Sequence, residues 1–309
     1  MPGIDHPGFR AALAAAGLIA PTILVNDRRT HRCQVEGKKR SNRSGEYMLT
    51  DDGGMGGYRN WAAGGDWTVW LAAKPSQLSA EQRFAFLAQQ RAAADVAREE
   101  RAAARHKAVS MWTAAIEGPH PYLDRKGICS NGSRVLGDML LVPMRDWEGE
   151  MHSVQTIASN GEKRFLRGGR LGGCFHWVRV GQQTGPTVYV AEGFATASTI
   201  HAAVAGKPVV VAFCASNLAP VCRVLREHLP RVVLIICADN DHTKGNPGVT
   251  AATAAALETG ARLAIPRGMT GTDFNDLMAE HGILEVRKQL SATEKPKKIE
   301  EEKEIVDGI

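Results

Sequence analysis

The chain has 309 residues, 44% of them hydrophobic and 23% charged, with a formal net charge of +5. That length supports two domains with a real core in the larger one, and the composition is ordinary for a globular protein. No run approaches the roughly 18 apolar residues of a membrane span. The Ala-rich start carries an acid and a proline without a small-residue cleavage pattern, so it reads as a helix, with the cytoplasm as expected location.

Following that helix, short β-like runs alternate with turn residues from Pro21 to Leu71: residues 22–27, 31–37, 45–50, 56–61 and 66–72. Gly-rich punctuation at 51–57 separates them, which predicts a small antiparallel β-domain over 1–76. Seven bases fall between Arg28 and Arg43 (Arg28, Arg29, Arg32, Lys38, Lys39, Arg40, Arg43) against one acid, Glu36. Such a run either attracts a phosphate backbone by counterion release or is a solvated loop face. The six cysteines form no CxxC pair; reduced thiols, most of them buried, are expected and a structural zinc site is not.

From Ser79 to Glu117 the sequence lacks Gly and Pro and is rich in Ala, Arg, Gln and Glu. Ser79 with Gln82 matches a capping box, and the apolar stripe is too sparse for a core helix. A helical connector over 77–118 is expected.

Beyond it the pattern is mixed α/β. A β-rich, basic stretch over 119–184 contains Arg145 and the cluster Lys163, Arg164, Arg167 and Arg170. Over 185–290, near-continuous apolar strands alternate with helices, the signature of a parallel sheet buried on both faces. The charged residues 291–309 are expected to be disordered.

Glu192 follows the apolar run 187–191 and precedes Gly193; Asp239 and Asp241 close the apolar run 232–238. In a parallel sheet these acids sit at the carboxyl edge, where open α/β folds bind ligands. A lone acid at a strand end is more often a helix N-cap or a solvated loop residue. Two such strand ends together predict oxygen ligands for Mg²⁺ or Mn²⁺, an ion that neutralises charge on phosphate.

Strand-Glu-Gly followed by strand-Asp-x-Asp resembles the Toprim domain of bacterial-type primases, topoisomerases, recombination mediators and some nucleases. Around it, His120 to Gly127 (HPYLDRKG), Leu141 to Asp146 (LVPMRD), Lys163 to Leu166 (KRFL) and Gly271 to Leu277 (GTDFNDL) are similar to elements of the primase catalytic core, nearest in pattern to phage- and conjugative-plasmid-type primases. The resemblance implies a Toprim core behind a basic mixed α/β subdomain and a small β-rich N-terminal domain. It implies metal binding by Glu192, Asp239 and Asp241, with Asp273 adding a carboxylate and Asp276 replacing an acid where Asn275 stands. Arg164, with Arg145, Lys163, Arg167 and Arg170, would contact triphosphate or template. The zinc ligands of the family's N-terminal module are missing, so a zinc-free domain meeting DNA through the 28–43 run is expected.

The implied activity is Mg²⁺-dependent synthesis of RNA primers from ribonucleoside triphosphates on single-stranded DNA. The alternatives are a Toprim nucleic-acid-binding or recombination module and a Toprim nuclease. A topoisomerase is not expected, because the four tyrosines (47, 58, 122, 189) lie in strand-like or core segments. Without a GxxxxGK[ST] phosphate loop, unwinding falls to a separate replicative helicase.

Overall fold

A computed structural model describes residues 3–4, 6–38, 40–61, 67–72, 80–178, 185–241 and 246–296. The chain divides into two compact units, the first formed by Met1–Lys107 with Arg167–Gly172, the second by Ala108–Leu166 with Gly173–Ile309.

In the first unit, β1 (Gly3–Ile4) precedes α1 (Pro7–Ala15), which buries Phe9 and Leu13. There follow β2 (Leu18–Ile19), β3 (Leu24–Val25), β4 (His31–Val35), β5 (Gly45–Leu49), β6 (Met55–Asn60) and β7 (Thr68–Leu71). β1 pairs with β3, and the others form an antiparallel sheet in the order β2-β4-β5-β6-β7. Its core gathers Phe9, Leu13, Leu18, Leu24, Val35, Tyr47 and Leu49. The strands answer to the alternating runs of the sequence because each puts one apolar face on α1.

Helix α2 (Ala80–Ala114) confirms the helical run. The Ser79–Gln82 pair lies outside the described side chains. Among the described side chains of α2, Ala104 and Ala108 are buried, while Val96 and Val109 are exposed.

The second unit holds α3 (Pro121–Lys126), β8 (Arg134–Leu136), β9 (Met139–Arg145), β10 (Met151–Ala158), β11 (Lys163–Phe165) and β12 (His176–Trp177). Then come β13 (Thr187–Ala191), α4 (Phe194–Ala203), β14 (Val209–Val211), α5 (Leu218–His228), β15 (Val233–Cys237), α6 (Pro247–Thr259), β16 (Arg262–Ala264) and α7 (Phe274–Ser291). The strands β11-β10-β9-β8 make an antiparallel sheet, and β12-β14-β13-β15-β16 make the second. In the latter β14, β13, β15 and β16 are parallel. β12, in line with the antiparallel run when read by sequence alone, adds instead an antiparallel edge to β14.

Val188, Val190, Leu234 and Ile236 pack with Leu218, Val221, Leu225, Ala252 and Ala256 of α5 and α6. The alternate residues Tyr189, Ala191, Ile235 and Cys237 are buried on the opposite face, the expected two-sided burial of a parallel sheet. All six cysteines are free thiols; Cys33, Cys174, Cys222 and Cys237 are buried, Cys129 is exposed and Cys214 half-buried. Residues 291–309 were expected to be disordered, but backbone bonds of 2.9 Å in both directions tie Glu294 to Leu263. The unpaired edge of β16 supplies the partner that a charge count could not show; residues 297–309 lie outside the described residues.

Glu46 anchors the first unit's sheet. Its side chain is only 3% exposed, yet its carboxylate accepts from Arg59 Nη2 at 2.8 Å and Arg32 Nη2 at 3.0 Å. Burial pushes this carboxyl up, but the Arg59 hydrogen bonds and the charges of Arg59 and Arg32 hold it below its ordinary value. A depressed carboxyl contributes stability above its unfolded pKa and loses it as pH falls through the folded value. Glu46→Ala removes the carboxylate shared by Arg59 and Arg32, while Arg59 keeps Glu100 at 2.9 Å and Arg32 is exposed. Urea unfolding should therefore show a loss of about 1–3 kcal/mol at neutral pH. That loss should shrink on acidification below the carboxylate range; an unchanged midpoint would remove Glu46 from the sheet's support.

Candidate active site

The chain leaves β13 outward through α4 to β14, then returns across β13 to β15 and continues outward to β16. The order therefore reverses between β13 and β15, and a ligand crevice belongs at the carboxyl ends of those two strands. Ala191 pairs with Cys237, so Glu192 and Asp239 both emerge at that crevice, from directly adjacent strands. Gly193 follows as the N-cap of α4.

Asp239 is the electrostatic centre. Its Oδ1 is buried with no hydrogen-bond partner. Burial first, then the charges of Glu192, Asp273 and Asp241, push its carboxyl up to about 8, against a smaller opposing pull from Lys163. The acids at 192, 241 and 273 are thus close enough to act on Asp239.

They are not gathered symmetrically. Asp241 Oδ2 accepts the Gly248 N–H at 3.0 Å, at the start of α6. Asp273 caps α7, with Oδ1 accepting from the N–H groups of Asn275 at 2.7 Å and Asp276 at 2.9 Å. Its Oδ2 accepts from Thr196 Oγ1 of α4 at 2.9 Å. Two of the acids therefore serve as helix caps as well as sources of negative field, so both readings of a strand-end acid hold at once. Among the described residues no three His, Cys, Asp or Glu side chains form a group ready to hold a metal ion. Asp241 bonds the start of α6 through Oδ2 while its charge still bears on Asp239.

Asp276 is engaged elsewhere. Its Oδ2 accepts the Thr272 N–H at 3.0 Å and its Oδ1 lies 3.5 Å from Lys126 Nζ. Asn275, 4% exposed, donates through Nδ2 to the Lys126 carbonyl at 2.8 Å and to Thr199 Oγ1 at 3.0 Å. The amide ties the last turn of α3 to α4 and α7, and a carboxylate could not donate to the Lys126 carbonyl. Sequence reasoning treated Asn275 as a missing acid; the signal for its role was an Asn among Asp residues just inside a helix.

The basic candidates separate. Lys163 reaches the acidic edge, since a carbon placed on Gly193 would lie 3.8 Å from its Nζ. Arg164 is exposed and held by Glu162, from Nη2 at 2.9 Å and Nε at 3.0 Å. Arg145 donates to the Gly149 carbonyl at 2.8 Å and lies 5.8 Å from the Trp112 ring. Arg167 and Arg170 belong to the first unit, where Arg167 stands 5.7 Å over the Trp61 ring and Arg170 donates to the Gly172 carbonyl.

Within the 28–43 run, Arg28 pairs with Asp51 at 3.0 Å, Arg32 is committed to Glu46, and Arg43 donates to the carbonyls of Arg40 and Asn42. The exposed Arg29, Lys38 and Arg40 complete the described part of the run, and Lys39 lies outside the described residues. His31 bonds Asp27 at 2.8 Å.

The HPYLDRKG segment forms α3 with a built cap at each end. His120, 2% exposed, accepts the Tyr122 N–H through Nδ1 at 3.2 Å, and its Nε2 bonds the Asp138 carbonyl at 3.0 Å. Gly127 closes the helix at φ 62°, a left-handed cap that favours glycine.

Residues 187–283 match the family model of the Toprim domain, so the chain carries a Toprim domain over the segment that holds all five candidate acids. Two curated relatives are described as DNA primase TraC of Escherichia coli. One is 31% identical over 259 residues, 78% of this chain; the other is 32% identical over 280 residues, 84% of it. The chain spans only 24% and 19% of those relatives' lengths. Among solved structures, the primase fragment of the bacteriophage T7 primase-helicase protein gives a TM-score of 0.44 at 18% identity, covering 54% of this chain and 73% of that one. The DnaG primase catalytic domain bound to single-stranded DNA gives 0.41 at 16%, covering 65% and 71%. Among the described residues no helix is long and apolar enough to cross a membrane.

Asn275→Asp should test the latch between α3, α4 and α7. It replaces two donated bonds with a carboxylate facing a carbonyl, at a cost of about 2–4 kcal/mol. Thermal denaturation should show a midpoint lower by about 4–10 °C; an unchanged midpoint would mean that these bonds do not hold the elements together.

Proposed function

We propose that the protein is a DNA primase, making short RNA primers from ribonucleoside triphosphates on single-stranded DNA with a divalent cation, Mg²⁺ or Mn²⁺. What supports this most is the convergence of Glu192 and Asp239 at the β13/β15 switch point, in a chain aligned over most of its length with proteins described as DNA primases. The residues present fit a cation. The orphaned Asp239 Oδ1 and the mutual repulsion of the acids both create a demand for positive charge. Glu192, Asp239 and Asp241 would hold it, with Asp273 alongside.

When bound, such an ion neutralises phosphate charge and lowers the pKa of the attacking hydroxyl. In primer extension the 3′-hydroxyl attacks the α-phosphate, a new P–O bond forms and pyrophosphate leaves. Lys163 supplies a positive charge beside Gly193, where the absence of a side chain keeps the approach to Glu192 open. Asp273, tied to Thr196, fixes α4 and α7 with respect to each other and so sets the shape of the edge. The domain division at 76, 118, 184 and 290, and contact of Arg29, Lys38, Arg40 and Arg43 with template, belong to the same reading. So do a cytoplasmic location and a separate replicative helicase.

Two measurements follow. Glu192→Ala and Asp239→Ala should each reduce templated primer synthesis by about 100-fold or more while leaving single-stranded DNA binding nearly unchanged. The same assay on a forked duplex with an added helicase tests the partnership. Wild-type primer yield from Asp239→Ala would overturn the acid assignment. DNA binding without any product from the wild type would mark a binding module, and cleavage of linear DNA with Mn²⁺ a nuclease.

The second measurement is of stability without metal. A carboxyl raised in the folded state costs stability as pH climbs from about 4 towards 8, because the unfolded chain releases the proton first. Asp239→Asn removes that cost. Its thermal midpoint in chelator at pH 7.5 should exceed wild type by about 4 °C or more, and millimolar Mg²⁺ should stabilise the wild type alone. A variant no more stable than wild type would show that the acids do not repel one another as described.

A further inference from the structure

β14 ends at Val211, level with Ala191 of β13, and Phe213 follows two residues later at the same carboxyl edge as Glu192. Its backbone is left-handed, with φ 73°, a conformation rare for a bulky side chain. The Phe213 ring meets Phe165 edge to face, with centroids 6.4 Å apart and an interplanar angle of 84°. Phe165 is 37% exposed whereas Phe213 is 6% exposed.

Phe165 lies two residues beyond Lys163 on β11, so the two side chains share one face of the strand. Lys163 Nζ is the group that reaches Gly193 and the acids. At the rise of an extended strand, Phe165 stands about 7 Å further along, a separation comparable to that between a phosphate and the base of its own nucleotide.

Single exposed hydrophobic residues are common and need no function. This one is flanked by Lys163 and the exposed Arg164 and braced from behind by a second ring on a left-handed backbone. Aromatic rings set among bases are what single-stranded nucleic acids and nucleotides stack upon. We propose that Phe165, braced by Phe213, is a nucleobase-stacking subsite for a nucleotide whose phosphates lie at Lys163 and the acidic edge. The inference rests on the reading of that edge as a nucleotide-phosphate site.

The test uses the full chain and the variants Phe165→Leu and Phe165→Tyr. Leucine keeps the apolar packing on Phe213 without an aromatic face, while tyrosine keeps the face. Four probes are titrated with Mg²⁺ present: ATP, inorganic tripolyphosphate, an oligo-dT strand and an abasic strand of the same length. Phe165→Leu should weaken binding of one base-bearing probe by about ten-fold, leave both base-free probes unchanged, and be rescued by tyrosine. A change confined to ATP assigns the base to the incoming nucleotide; one confined to oligo-dT assigns it to the template. Wild-type affinity of Phe165→Leu for both ATP and oligo-dT overturns the subsite. So does a wild-type chain that binds base-bearing probes no better than base-free ones. Phe165-dependent ATP binding without primer synthesis would keep the subsite and sink the polymerase reading, whereas primer synthesis with both nucleotide KM and oligo-dT affinity unchanged in Phe165→Leu would do the reverse.

Discussion

Several carboxylates have to share the end of two adjacent strands, and the second unit is arranged around the repulsion that results. Asp239 bears most of it, because its Oδ1 is buried and unbonded. The neighbouring acids are partly satisfied by the protein itself: Asp241 by the start of α6, Asp273 by the start of α7 and by Thr196. Helix N-termini present N–H groups and the positive end of the macrodipole. They let the fold keep negative charge at the crevice while leaving one oxygen unsatisfied for a ligand. The residual strain is then concentrated at a single carboxylate.

That distribution explains why strand topology matters more here than any individual bond. The crevice exists because the strand order reverses between β13 and β15, and the same reversal sends α4 and α6 away from it with their N-termini beside the acids. Asn275 joins the Lys126 carbonyl to Thr199, so the end of α3 is fixed relative to the helices that carry the caps. The antiparallel sheet contributes Lys163 from β11, placing a cation at an edge otherwise dominated by acids.

Much of this was legible in the sequence. Near-continuous apolar runs ending in acids read as buried parallel strands with a polar carboxyl edge, because such strands bury both faces and release their acids only at the strand ends. The alternating runs of the first unit were equally readable. What escaped were pairings set by tertiary contact. The 28–43 run looked like a free basic surface, yet Arg28 pairs with Asp51 and Arg32 with Glu46, acids that lie outside the run. Asn275 looked like a gap in an acidic motif until its two donated bonds were seen. Arg164 read as the leading basic candidate, with Arg145 and Lys163 behind it; in the structure Glu162 holds Arg164 and Gly149 holds Arg145, while Lys163 lies beside Gly193.

On the proposed reading of the edge, a phosphate-binding surface need not be uniformly basic. A cluster of arginines would attract a polyanion at any point along its length, whereas acids that await a cation respond only where that cation and a phosphate arrive together. Lys163 beside the acids supplies a weaker, permanent attraction, and Phe165 two residues on offers a surface with no charge at all. Acid, base and ring thus follow one another over a single strand end and its neighbour. That sequence of chemistries parallels the order of phosphate and base in a nucleotide, which a surface selected only for solubility has no reason to reproduce.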